Sequence, residues 1–311
     1  EEYRQRFTRE HEPFINDAFD KYYGIDRFGS FTDAGQFERF CQFLGLEFKT
    51  VSTHPHIRFD RLQALYLTKE YSFDPVMMAD YYRKQAYDRE NLCIQTRADV
   101  SEARIERSEW VVTYDRDGNR SAAMAPAVIN ATYAASNAIN RIFELPEIEL
   151  MHEISEIALL DLGKEVHFGL TVMDGPFCSI MPYGLSGLHS LSSVAYTHQR
   201  ISYDALPSFS CQRDFPPCSP EATANCNFCP RKPATNVKKM LGQLSAYLKQ
   251  EVVPGYYQSF FTIKSKLQSS FIDDGRPTRI SILRENPHFY CIFAGKINSV
   301  YEIERVLDKD L

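Results

Sequence analysis

The sequence predicts a mixed α/β fold in two interleaved domains, and three observations carry that prediction. With 311 residues, 44% of them hydrophobic and 24% charged, the chain can bury a large core. Apolar residues recur at three and four positions in separate stretches, the spacing of helices that pack one face. From residue 92 onward, β-rich runs alternate with turn residues, the mark of successive strands.

In chain order, residues 14–46 have a helical pattern, through Phe14, Ile15, Ala18, Phe19, Tyr22 and Tyr23 and again through Phe37, Phe40 and Phe43. Thr32 or Asp33 caps the second of these helices and Gly45 ends it. A loop at His54-Pro55-His56 leads to a short strand at 64–70, and Asp74-Pro75 starts a helix reaching about Asp88. Strands are expected at 92–96, 103–107, 110–114 and 122–130, with a turn at Asp115-Arg116-Asp117-Gly118. Others follow at 148–160, 164–173, 178–183 and 190–197. A cysteine- and proline-rich loop, 206–233, is long enough to need an internal anchor. A helix at 236–252 ends at Pro254-Gly255, strands return at 279–283 and 289–293, and a helix at 299–307 closes the chain. There is no internal repeat and no low-complexity segment.

The net charge of −6 supplies no basic field for nucleic acid or an anionic membrane surface. The longest apolar runs, near 157–162 and 292–294, fall far short of the roughly 20 residues that cross a bilayer, and no signal peptide is visible. Cys41, Cys93, Cys178 and Cys291 are scattered like small buried hydrophobes in a reducing compartment, which points to the cytoplasm. Cys211, Cys218, Cys226 and Cys229 are crowded into one loop. The two-residue gap of Cys226-Asn-Phe-Cys229 lets two sulfurs face one tetrahedral ion, so a structural zinc is expected there to supply the loop's anchor. Two disulfides, free thiols and an iron–sulfur cluster are the other readings of the same residues.

Several motifs, taken in order, resemble the D-amino-acid-oxidase-like superfamily of FAD-dependent oxidoreductases. They are Tyr23-Gly24-Ile25-Asp26-Arg27-Phe28 with Gln36-Phe37-Glu38 and Leu44-Gly45-Leu46; the Phe73-Asp74-Pro75 helix; a strand ending in Val100; and Ala127-Val-Ile-Asn130-Ala131-Thr132. They continue with Thr171-Val-Met-Asp-Gly-Pro-Phe, Ser179-Ile-Met-Pro-Tyr-Gly, Asp273-Asp274-Gly275-Arg276-Pro277-Thr278 and Gly295-Lys296-Ile297-Asn298. The resemblance implies FAD as cofactor. It places Val100 over the adenine, Asn130, Ala131 and Thr132 at a strand end beside the cofactor, and Arg276-Pro277 and Gly295 to Asn298 at the flavin. Glycine there lets a backbone N–H approach the ring. The implied layout is an FAD-binding domain from 56–141 and 262–311 and a substrate domain at 142–261 with a mainly antiparallel sheet, preceded by a helical segment of the substrate side at 1–55. Each motif alone also reads as an ordinary turn or surface residue; their order carries the resemblance.

The departure is the first βαβ unit with its glycine-rich turn. Gly24, Gly29 and Gly35 are wrongly spaced to form it, and the chain begins at Glu1, so a leading segment carrying that unit is expected to precede it in the parent protein. The activity implied is hydride transfer to flavin from the C–H of an amine or alcohol, with a small-molecule substrate. Tyr183, which can hydrogen-bond a substrate, and His189, which titrates near neutrality, are the candidate catalytic groups; packing in a sheet and bonding within a loop are their structural alternatives. A truncated or degenerate homologue acting as a non-catalytic binding module, stabilised by zinc, is the competing reading.

Overall fold

A computed structural model describes residues 2–271 and 276–310; the expected Asp273-Asp274-Gly275 turn lies outside them. After α1 (Glu2–Glu10) the chain forms β1 (Ile15–Asn16) and β2 (Asp20–Asp26), where helical spacing predicts a helix. The correction has a physical cause. β2 is covered on both faces, so its buried run of Lys21, Tyr22, Gly24, Ile25 and Asp26 shows none of the alternation that marks a half-exposed strand. α2 (Ala34–Leu44) forms as expected: Asp33 Oδ1 accepts the Gln36 N–H, Gln36 Oε1 accepts the Asp33 N–H, both at 2.8 Å, and Gly45 at φ +65° ends it. β3 (Phe48–Thr50), β4 (Leu62–Thr68) and β5 (Ser72–Phe73) lead to α3 (Pro75–Tyr87), where Asp74 Oδ1 accepts the N–H groups of Val76 and Met77.

Residues 92–96 are not a strand. A single β6 (Ala98–Glu106) begins later and places Val100 near its start rather than at its end. With β7 (Glu109–Arg116) and β8 (Asn119–Ala125) it makes a three-stranded meander. Pro126, which has no N–H for a ladder, separates β8 from β9 (Ala127–Asn130), dividing the single strand expected at 122–130. α4 (Ser136–Ile142) precedes β10 (Leu150–Asp161), β11 (Phe168–Met173), β12 (Cys178–Pro182), β13 (His189–Ser193) and β14 (His198–Ser202). α5 (Val237–Leu244) is shorter than expected. β15 (Gly255–Leu267), a long strand, was not expected at all. β16 (Arg279–Glu285), β17 (His288–Phe293), a 3-10 turn at Ile297–Ile303 and α6 (Glu304–Asp310) complete the chain.

Nine strands share one sheet in the order β14-β10-β13-β12-β11-β2-β4-β3, with β15 along the other edge of β10. All of its pairs are antiparallel except β11 with β2, and β2 and β3, from the first 55 residues, are woven into the same sheet as β10 to β14. A smaller sheet, β16-β17-β9, pairs β17 parallel to β9 across a gap of more than a hundred residues. One hydrophobic core lies between the large sheet and α5, through Leu170, Ile180, Leu191, Met240 and Leu244. A second joins the small sheet, the meander and α4 through Trp110, Phe143, Phe289 and Phe293, and reaches the ends of β10 and β15 at Leu150 and Leu267. No helix of the described residues is long and apolar enough to cross a membrane.

Glu156, fully buried in β10, binds the start of α5 to the sheet. It accepts the Asn236 N–H at 2.8 Å, the Ser259 hydroxyl at 2.6 Å, and the Thr235 hydroxyl and Gln199 amide. Removing the carboxylate takes the shared acceptor from four donors on half-buried or exposed residues. Glu156→Ala is expected to lower the unfolding free energy by about 3 kcal/mol, read as a shift in the urea midpoint without loss of the secondary-structure signal.

Candidate active site

Cross-strand registers show which side chains share a face of the large sheet. The row Lys21–Gly169–Met181–Ser190–Leu159 crosses five strands, and alternation along β10 and β15 places Glu153, Lys264 and Lys266 on the same face. The row beside it, Tyr22–Leu170–Ile180–Leu191–Ala158, points to the opposite face and packs under α5. One face is therefore covered by a helix, and the other carries Lys21, Glu153, Lys264 and Lys266.

Two cavities adjoin the loop 295–298 that follows β17. The smaller, about 210 Å³, is bounded by Tyr133, Lys264, Lys266, Arg276, Pro277, Phe293 and Gly295. The larger, about 970 Å³, lies among Phe7, Tyr23, Phe37, Phe40, Leu44, Leu46, Glu70, Phe73 and Met173 and includes Ile297 and Asn298. Gly295 belongs to the first and Ile297 and Asn298 to the second, so one short loop borders both. A side chain at Gly295 would overlap the Arg276 carbonyl, and the Gly295 N–H donates to Thr278 Oγ1 at 3.1 Å. Only glycine lets 294–296 close over Arg276-Pro277.

The strand end at β9 is held by buried amides. Asn130 donates to the Ser136 carbonyl at 2.9 Å and to Asn140 Oδ1 at 2.8 Å, and its own Oδ1 accepts from the Thr132 N–H and hydroxyl. Asn137 bridges Ile148 and Ala205, fastening this turn to the start of β10. Tyr133, at φ +54°, donates to the Ser265 carbonyl at 2.9 Å, accepts the Ser265 N–H at 3.0 Å and stacks on Phe293. Asn130 to Tyr133 thus connect the small sheet to β15 beside the smaller cavity. Ala131 and Thr132 are exposed.

Charge on the polar face is concentrated in two groups. Glu153 stands 3.1 Å from Lys266 Nζ, 3.9 Å from Lys264 Nζ and 2.9 Å from His198 Nδ1; burial pushes its carboxyl up, but its interactions with His198 and Lys266 outweigh burial and hold it at about 2. Farther along, Lys21 Nζ donates to Thr171 Oγ1 at 2.6 Å and lies 4.9 Å from the centre of the Tyr23 ring, and the Tyr23 hydroxyl donates to Glu70 Oε1 at 2.6 Å. Burial, opposed by the Glu70 charge, lowers Lys21 to about 8, and burial followed by Glu70 raises the Tyr23 phenol. Tyr23 and Thr171 open two of the quoted motifs; Lys21, Glu70, Glu153, Lys264 and Lys266 belong to none. A lysine inside a run otherwise rich in tyrosine and isoleucine was the available signal.

Tyr183 stacks on Phe260, and Phe260 pairs with Ile157 on the polar face; burial and the Asp74 charge raise its phenol. His189 pairs with Leu160 and Pro182 and so sits on the helix-covered face, where neither ring nitrogen has a geometrically sound hydrogen bond among the described residues and burial lowers it to about 4. Neither residue borders the two cavities. Val100 is half-buried against the second core, Lys296 precedes the terminal 3-10 turn, and Arg276, Pro277, Gly295, Ile297 and Asn298 converge as described.

Cys211, Cys218, Cys226 and Cys229 are free thiols, and among the described residues no group of three or more His, Cys, Asp or Glu is arranged to hold a metal ion. Cys211 and Cys226 pack against Ile154, Phe209 and Phe261, while Cys218 and Cys229 accept backbone N–H groups from Ala224 and Arg231. Protein contacts hold the loop through this apolar cluster and Asn227 Oδ1, which accepts the Phe261 N–H at 2.7 Å.

The chain matches no protein-family model and no curated protein sequence. Solved structures share its fold. A glycine oxidase from Geobacillus kaustophilus superposes on 98% of this chain and 74% of its own length with a TM-score of 0.66 at 14% identity. NikD, described as an unusual amino acid oxidase essential for nikkomycin biosynthesis, covers 94% of this chain and 72% of its own with a TM-score of 0.64 at 12% identity. An L-alpha-glycerophosphate oxidase from Mycoplasma pneumoniae with FAD bound covers 91% and 68% with a TM-score of 0.57 at 12% identity. The chain has the amino-acid-oxidase-like fold that its ordered motifs imply.

Because Lys21 is charged while buried below a pH of about 8, folding bears a cost there that disappears as pH rises past the ordinary lysine value of 10.5. Lys21→Met is expected to stabilise the fold by about 3 kcal/mol at pH 7, with the advantage shrinking between pH 8 and 10.5. Denaturant melts across that range check it.

Proposed function

We propose that the chain carries the flavin-ring and substrate sides of an FAD-dependent oxidoreductase that oxidises the C–H of an amine or alcohol. The observation that carries this reading is the loop 295–298, which borders a basic cavity at one end and an apolar cavity with a carboxylate at the other. The likeness of fold to flavin and amino acid oxidase structures supports it. The residues fit the ring end of the cofactor. Gly295 lets its loop close on Arg276-Pro277 at the border of the smaller cavity, and Lys264, Lys266 and Arg276 line that cavity with basic side chains.

When bound, the flavin supplies a hydride acceptor for a substrate C–H. Lys264, Lys266 and Arg276 would stabilise negative charge developing in the smaller cavity, at fixed positions and away from bulk water. Glu153, beneath the two lysines, holds them without entering that cavity. On the larger-cavity side, Tyr23 and Glu70 can hydrogen-bond a substrate heteroatom or hold a proton. The apolar side chains around them offer a nonpolar surface to the carbon skeleton of a substrate.

Titration of the purified chain with FAD, followed by visible absorption, tests the reading. Saturable uptake is expected, weakened at least about tenfold by Gly295→Ala with the circular dichroism spectrum retained. A chain that ignores FAD, or a Gly295→Ala variant that takes it up as well as the parent, contradicts it.

A further inference from the structure

The larger cavity has a chemical character of its own. Phe37, Phe40, Leu44, Leu46, Phe73 and Met173 give it extended apolar walls, far more surface than a small polar substrate would cover. Its charged groups are Arg4, Glu47, Lys69 and Glu70. Arg4 donates to the Tyr71 hydroxyl at 2.8 Å, and Glu47 and Lys69 are exposed to solvent. Glu70 differs from them: it is half-buried, Tyr23 donates to its Oε1 at 2.6 Å, and its Oε2 accepts no hydrogen bond among the described residues. Lys21, the nearest buried cation, is turned to Thr171 and Met181 and does not border the cavity. A half-buried carboxylate with one oxygen engaged and the other open, set among aromatic rings, matches an ammonium group carried on a bulky apolar body.

We propose that this cavity selects cationic amines bearing a large apolar or aromatic substituent, with Glu70 as the counter-ion and Tyr23 as the residue that positions it. This rests on the oxidoreductase reading for its role in turnover, but the selectivity itself is a property of binding. Phe40 and Leu46, both exposed, hold the substituent, and Asn298, which lines the same cavity as Glu70, brings that cavity to the loop beside Gly295.

Calorimetric titration of the full chain, with and without FAD, tests the proposal using four probes: phenethylamine, methylamine, 2-phenylethanol and phenylacetate. Phenethylamine is expected to bind at least about tenfold more tightly than each of the others. Glu70→Gln should remove the preference for phenethylamine over 2-phenylethanol, and Phe40→Ala, at an exposed position, should weaken both ligands together and leave their ratio unchanged. Equal binding of phenylacetate or methylamine, or an unaltered ratio in folded Glu70→Gln, overturns the proposal. FAD uptake, measured separately by absorption, keeps the two readings apart. A chain that binds phenethylamine selectively but no FAD supports the cavity assignment and contradicts the flavin one; a chain that takes up FAD without amine selectivity does the reverse.

Discussion

Two buried carboxylates three residues apart on β10 organise the molecule. Strand alternation sends Glu153 and Glu156 to opposite faces of the large sheet, and an ionised carboxylate in a dry interior persists only where donors or cations surround it. Glu156 collects hydroxyl, amide and backbone donors from β14, β15 and the residues before α5, and so fixes the helix that seals one face. Glu153 collects Lys264, Lys266 and His198 and so fixes the basic end of the other. One strand thereby defines a structural side and a chemical side of the sheet.

That division explains how distant parts of the chain meet. β2, near the start, lies parallel to β11, and brings Lys21 and Tyr23 onto the chemical side; β4 ends beside Glu70. β17, near the end, lies parallel to β9 and delivers the loop 295–298 between the two cavities. The buried asparagines at 130, 137 and 140 join the small sheet to β10, where an apolar contact alone would leave the turn carbonyls and N–H groups unpaired. The two sheets therefore act as one support for the site.

What could be read from the sequence follows from what each residue faces. α2 and α3 were legible because Asp33 with Gln36, Asp74 and Pro75 act locally on their own backbone. The motifs Arg276-Pro277 and Gly295 were legible because a close approach of two backbones leaves no room for another residue. β2 was misread as helix because burial on both faces erases alternation, and β15 was missed because Lys264 and Lys266 look solvated until Glu153 is seen opposite them. The Tyr23–Glu70 pair joins residues 47 positions apart, so no local pattern announces it. In the cysteine loop the spacing suggests a metal, and the structure adds that two of the sulfurs border a hydrophobic cluster, two accept amide hydrogens and the other three thiols, after burial, raise Cys226.

The measurement that bears most directly on the central claim is anaerobic mixing of the FAD-saturated chain with phenethylamine, followed by the visible flavin bands. If the loop 295–298 brings a cofactor in one cavity against a substrate in the other, the oxidised bands bleach as the amine is consumed and return when air is admitted. Bound flavin whose spectrum stays oxidised with phenethylamine, and with a panel of other amines and alcohols, would contradict the account.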